Sequence, residues 1–184
     1  MVVLLVLARN LHPLDGAYHD GRTVNEWVSL LGDNDPLLRS QAFETLVKLG
    51  DKVTPQLARA LRDPEVQRRR DAALAMQKIR PSGKLATDAL AGALQDYDIW
   101  VRWRSAQALR AMGPNARDAV NPLATALTDD DPRVRCAAAQ ALGRIGKEAY
   151  IAQPALMSAM KDERAYVRRA ASDAMQDIMT EINQ

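Results

Sequence analysis

Apart from its many charges, this 184-residue chain has few side chains that could do chemistry: one cysteine, Cys136, and two histidines, His12 and His19. A zinc centre needs several His, Cys or carboxylate ligands converging, and neither histidine stands at ligand spacing from the other or from Cys136. A Cys or Ser nucleophile needs a base within reach, yet both histidines fall near the N-terminus, far along the chain from Cys136. The run Gly143-Arg144-Ile145-Gly146 has too few glycines to cradle a phosphate, and it closes a helical pattern where such a loop must open one. The 23 carboxylates remain as candidate acids and bases. Their spacing gives them another role. Five times an Asp is followed six residues later by an Arg: Asp33 and Arg39, Asp63 and Arg69, Asp96 and Arg102, Asp129 and Arg135, Asp162 and Arg168. Successive pairs are offset by 30, 33, 33 and 33 residues. A fixed period of this size marks a solenoid, whose units touch only their neighbours. Charges locked to that period belong to the scaffold, so no catalytic residue, metal ligand or cofactor is expected, and function is sought in a surface.

The elements that must carry these pairs follow from the apolar pattern. One helix per unit is marked by Trp27, Leu57, Leu90, Leu123 and Leu156, each joined four residues later by Leu31, Leu61, Leu94, Leu127 and Met160. A second helix is marked by Leu46, Met76, Leu109, Leu142 and Met175, each joined three residues later by Leu49, Ile79, Met112, Ile145 and Ile178. Spacings of three and four put each pair on one helical face, which is the expected core. Acidic, Pro-containing turns separate the two helices, and Asp there can cap the helix that follows. Gly50, Gly113 and Gly146 end the second helix in three units, whereas Arg80 and Met179 stand there in the other two. Small residues after each ladder arginine, such as Ala72, Ala106, Ala138 and Ala171, let neighbouring helices approach closely. With 4% aromatic residues and no strand-like runs, the chain is expected to be all helix.

The fourth unit, Asp131-Pro132-Arg133-Val134-Arg135-Cys136-Ala137-Ala138-Ala139-Gln140-Ala141-Leu142-Gly143-Arg144-Ile145-Gly146, closely resembles the short HEAT-like repeat also found in phycobilisome bilin lyases. The resemblance covers residues 23–184 and implies a right-handed α-solenoid of about five hairpins. Its units fall at about 23–53, 54–86, 87–119, 120–152 and 153–184, after an apolar segment and irregular lead-in over 1–22. It also implies that the Asp and Arg pairs form a ladder along the stack. One guanidinium can hold the Asp of its own turn and reach that of a neighbour. The second unit departs from the pattern, because Arg68 stands where Leu38, Val101, Val134 and Val167 stand elsewhere.

Met1 to Ala8 is apolar but too short to span a bilayer, and it lacks a basic n-region. It reads as a remnant of a signal or anchor segment or as cover for the first repeat. The lead-in from Tyr18 to Trp27 resembles the start of HEAT-repeat proteins of bacterial cell envelopes, which tilts that choice towards a former signal or anchor. The expected location is then the envelope or outside the cell, and otherwise the cytoplasm.

Solenoids work mainly through extended binding surfaces, and second helices line the concave side. The residues one, five, eight and nine after each ladder arginine point into that groove. They include Arg70, Gln77 and Lys78, then Trp103, Gln107 and Arg110, then Gln140 and Arg144, then Arg169, with Arg104 beside Trp103. A Trp flanked by arginines has the composition of a protein-binding hot spot, while Trp100 and Trp103 could equally seal an interface between units. Arg68 and Arg70 read as a solvated face. The leading expectation is a non-enzymatic scaffold or adaptor for a protein or peptide. One alternative is a bilin-lyase-like chaperone and transferase. Another is a DNA-binding or base-excising protein using Arg70, Trp103, Arg104, Arg110 and Arg144, against which a net charge of +2 argues.

Overall fold

The computed structural model describes residues 18–184. Met1–Ala8 and His12 lie outside the described residues. Residues 18–23, expected to be irregular, form a small hairpin: β1 (Tyr18–His19) pairs antiparallel with β2 (Arg22–Thr23). Asp20 and Gly21 turn it with φ of 49° and 78°, the signature of a two-residue turn that matches strand twist. The Asp-Gly pair was the available signal, and two-residue strands are too short to show periodicity.

Ten α-helices follow among the described residues: α1 (Val24–Ser29), α2 (Pro36–Leu49), α3 (Thr54–Ala60), α4 (Val66–Ile79), α5 (Lys84–Ala93), α6 (Ile99–Met112), α7 (Val120–Ala126), α8 (Pro132–Ile145), α9 (Gln153–Ala159) and α10 (Ala165–Ile182). They pair as five hairpins, each a short helix followed by a long one. The long helices α4, α6, α8 and α10 pack side by side as one row, and each short helix packs against its own long partner. This is an α-solenoid. Short 3-10 segments, 50–53, 113–119 and 146–152, lead into α3, α7 and α9. The third hairpin has no such segment, and α5 begins at Lys84.

The expected core is the observed one at nearly every position. Leu31, Leu46, Leu57, Met76, Leu90, Leu109, Leu123, Leu142 and Leu156 are fully buried, and Trp27 nearly so. Met160 is the most exposed of these positions, at 40%, while Leu49, Ile79 and Met175 are partly buried. Burying one such Leu contributes about 1.5–3 kcal/mol, and the alanines at 0% exposure between the long helices set their close spacing. Gly143 shows how close: a Cβ there would lie 2.9 Å from the Cα of Ala174.

The caps refine the sequence reading. The side chains that cap α2, α4, α6 and α8 belong to the residue two positions after the ladder Asp, namely Asp35, Glu65, Asp98 and Asp131, whereas α10 has Arg164 there and no side-chain cap. The ladder carboxylates of Asp33, Asp63, Asp96, Asp129 and Asp162 accept the backbone N–H of that following residue at 2.8–2.9 Å, which tightens the turn before the helix starts. At the C-termini, Gly50, Gly113 and Gly146 combine positive φ with ψ near −140°, a region open only to glycine. Arg80 instead takes the left-handed conformation at φ 55° and ψ 56°, followed by the buried Pro81, so the chain leaves α4 along a different path.

Candidate interaction surface

The ladder is real, but its rungs run between repeats. Arg69 grips Asp96 of the next hairpin in a bidentate pair, Nε to Oδ2 at 2.7 Å and Nη2 to Oδ1 at 3.1 Å. Arg102 holds Asp129 at 2.7 and 2.9 Å, and Arg135 holds Asp162 at 2.7 and 3.0 Å. Each partner lies 27 residues ahead, not six behind. Towards its own turn each arginine donates Nη1 to backbone carbonyls: Asp63 and Pro64 for Arg69, Asp96 and Tyr97 for Arg102, Asp129 and Asp130 for Arg135. One guanidinium thus satisfies an orphan turn and a neighbouring carboxylate together. The end members make only the backbone half, Arg39 to the carbonyls of Asp33 and Asn34 and Arg168 to those of Asp162 and Glu163.

The first junction is built differently, and Arg68 explains its departure from the pattern. With an offset of 30 instead of 33, Asp63 is out of step with Arg39. Arg68 takes Asp63 instead, at 2.8 Å, and also donates Nε and Nη2 to the carbonyl of Ser29 at the end of α1. Burial raises the Asp63 pKa, but the hydrogen bond from Arg68, the Glu65 N–H and the charges of Arg68 and Arg69 outweigh it and leave it below the usual range.

A second set of bridges removes two groups from the expected groove. Arg70 binds Asp98 of the next long helix with both ends of its fork, and this hydrogen bond holds the Asp98 carboxyl below its usual pKa. Arg104 reaches back to the Arg70 carbonyl at 2.9 Å and to Asp71 at 3.2 Å. Arg68 and Arg70 are therefore not a solvated face, and Arg70 and Arg104 tie α4 to α6 instead of pointing free into a groove. Asp71 and Asp98, which complete these bridges, lie outside the ladder spacing and were not singled out by it.

Trp103 is half-buried against the core, and its ring meets Trp100 edge-on with centroids 5.8 Å apart and an interplanar angle of 84°. Trp100 is 39% exposed and is covered on one face by the Arg133 guanidinium at 4.8 Å. The aromatic pair is both a packing element and a partly open surface. Cys136 is held as a neutral thiol, since burial pushes its pKa up. Its Sγ donates weakly to the Tyr166 carbonyl at 3.9 Å.

What stays open on the long-helix face is a run of side chains the scaffold does not use. Gln77, Lys78, Arg80, Gln107, Arg110 and Arg144 line a cavity of about 360 Å³ across α4, α6 and α8. Arg110 and Arg144 continue into a second cavity with Gln140, Asp173 and Asp177. Arg110 approaches only the Gln107 amide oxygen, at 3.3 Å, and Arg169 faces Asp173 loosely at 3.8 Å while strongly exposed. Among the described residues, no three His, Cys, Asp or Glu side chains converge in a way that could hold a metal ion. No helix of the described residues is long and apolar enough to cross a membrane.

A family model for HEAT repeats matches residues 5–77 and 87–176. The chain belongs to the HEAT-repeat family. Among solved structures, this HEAT-repeat chain is similar to the complex of CpcE and CpcF of phycocyanin lyase from Nostoc sp. PCC7120. The identity is 21%, with 83% of this chain and 97% of that chain covered and a TM-score of 0.69. It is also similar to a designed armadillo repeat protein in complex with the peptide (KR)4, at 17% identity over 84% of this chain and 81% of that chain, with a TM-score of 0.64. An engineered protein matches at 23% identity over 84% of this chain and 78% of that chain, with a TM-score of 0.62. These identities carry the fold of the HEAT-repeat stack and no more. A search of curated proteins finds no match.

Proposed function

We propose that this HEAT-repeat protein is a non-enzymatic scaffold that holds a protein or peptide partner in the groove of its long helices, around Trp103, Gln107, Arg110, Gln140 and Arg144. The observation that carries this reading is the division of labour among its charges. Arg69, Arg70, Arg102, Arg104 and Arg135 are consumed by bridges between repeats, and Arg68 by Asp63 of its own hairpin and the Ser29 carbonyl, while Gln77, Lys78, Arg80, Gln107, Arg110 and Arg144, which line the first cavity, make no bridge between repeats. Trp103 and Arg110 stand seven residues apart on α6, so one helical face offers an aromatic anchor and an arginine outside any ion pair, the composition that concentrates binding energy. The fold it shares with a designed repeat protein solved with a peptide supports the choice of partner. The lyase alternative keeps only a likeness of fold, and the DNA alternative loses Arg70 and Arg104 to internal bridges.

A photo-crosslinking residue in place of Gln107 should capture a discrete partner in cells, and Trp103→Ala should weaken that capture. The same residue in place of Arg59, exposed on α3, should not capture it. Equal capture from both positions would place the partner elsewhere.

A further inference from the structure

Four cations of the long-helix face, Lys78, Arg80, Arg110 and Arg144, surround one cavity, and none has a carboxylate within ion-pair distance among the described residues. The arginines beside them on α4 and α6 are paired, so this is a local excess of positive charge and not a general basicity. Part of it has a local explanation. Lys78, Arg110 and Arg144 sit in the last turns of α4, α6 and α8, where a cation complements the helix dipole. Arg80 does not fit that explanation. It stands beyond the helix in the left-handed conformation, which disfavours any residue with a Cβ, at the place where three other hairpins carry glycine. A strained, exposed arginine aimed at a cavity already lined by three cations is the kind of outlier that accompanies a binding site.

From this arrangement we propose that the groove takes an acidic peptide segment, its carboxylates on Lys78, Arg80, Arg110 and Arg144. The proposal rests on the partner-groove reading above and names the chemistry of the partner. Two observations favour a peptide over a nucleic acid. Gln77 and Gln107 line the same cavity, and an amide offers both a donor and an acceptor to a peptide backbone. Immediately along the groove Asp173 and Asp177 line the next cavity, where a continuous phosphate backbone would meet like charge. A peptide with a short acidic run ends before those carboxylates, and a basic residue beyond the run would meet them.

The test is fluorescence anisotropy of the intact chain at 150 mM salt, a condition chosen to screen long-range attraction, with labelled (Asp-Glu)4, (Lys-Arg)4 and duplex DNA as probes. The acidic peptide should bind, and the double variant Arg110→Glu with Arg144→Glu should weaken it by about tenfold or more, as the loss of two charge-assisted contacts requires. Arg117→Glu, exposed outside the groove, should leave it unchanged. Arg80→Gly should weaken binding severalfold while the thermal midpoint holds or rises, which separates lost contact from lost fold. Absent binding of the acidic peptide, an unchanged affinity in the double variant, or tighter binding of DNA through the same residues would overturn the proposal. Selecting random peptides on the intact chain distinguishes the two readings. Binders that need Trp103 but carry no net negative charge would sink this inference and leave the partner groove standing, whereas binders indifferent to every groove residue would sink both.

Discussion

Arg69 and Arg168 occupy the same place in their repeats, and substitution should affect them very differently. The Arg69 guanidinium is nearly buried, grips Asp96 and satisfies two turn carbonyls. Arg69→Ala would leave the Asp96 carboxylate with only the Asp98 N–H and two turn carbonyls without their side-chain donor, and a broken buried pair costs about 3–5 kcal/mol. Arg69→Lys should recover little, because an ammonium cannot span the bidentate geometry. Arg168 is exposed and makes only the backbone contacts, so Arg168→Ala should stay within about 0.5 kcal/mol of the parent. Denaturant midpoints of the three variants check this ordering. Titration acts through the same bonds. Asp98, Asp131 and Asp162 have pKa values lowered chiefly by hydrogen bonds from Arg70, Arg133 and Arg135, and Asp63 is lowered in net against its burial. A folded pKa below the unfolded value contributes stability that is complete above the unfolded pKa, about 3.9, and is lost as pH falls through the folded value. Thermal unfolding should therefore be level from neutrality to about pH 5 and decline below about pH 4. Asp162→Asn should flatten that decline.

At the scale of the helices, the sequence was most legible where a residue type has one physical use. Leu and Met at spacings of three and four predicted the buried faces, and the glycines predicted the ends of α2, α6 and α8. The destination of the ladder arginines was not legible. A separation of six within a repeat and of 27 between repeats are equally periodic, and only the side-by-side packing of the long helices decides that the second is the ion pair. Arg70 is assigned to the groove by helical phase and Arg104 by its place beside Trp103, and neither signal shows how far a long side chain leans towards the next helix. Gly143 entered the sequence reading only as part of a run that closes a helix, and its Cα proves to be the point where α8 and α10 nearly touch. Gly143→Ala should force these helices apart and cost about 1–3 kcal/mol by overpacking, although alanine is the better helix former. A lower thermal midpoint with unchanged helicity by circular dichroism would be the expected record.

The whole molecule is a one-dimensional chain of contacts, so its cohesion is that of its weakest junction. The second, third and fourth junctions share one design, a bidentate rung whose arginine side chain is 4%, 17% or 10% exposed. The first junction lacks it: Arg68 pairs with Asp63 inside its own hairpin and crosses the junction only by donating to the Ser29 carbonyl. In mechanical terms the stack is a spring with one compliant coil. Pulled from its two ends in an optical trap, the molecule should yield first between the hairpin of α1 and α2 and the rest, at lower force than the later steps. Arg68→Ala should lower that first force and leave the others in place. A partner seated on the long helices would bear on the stiff portion of the spring, leaving the compliant coil as the place where an added load is absorbed.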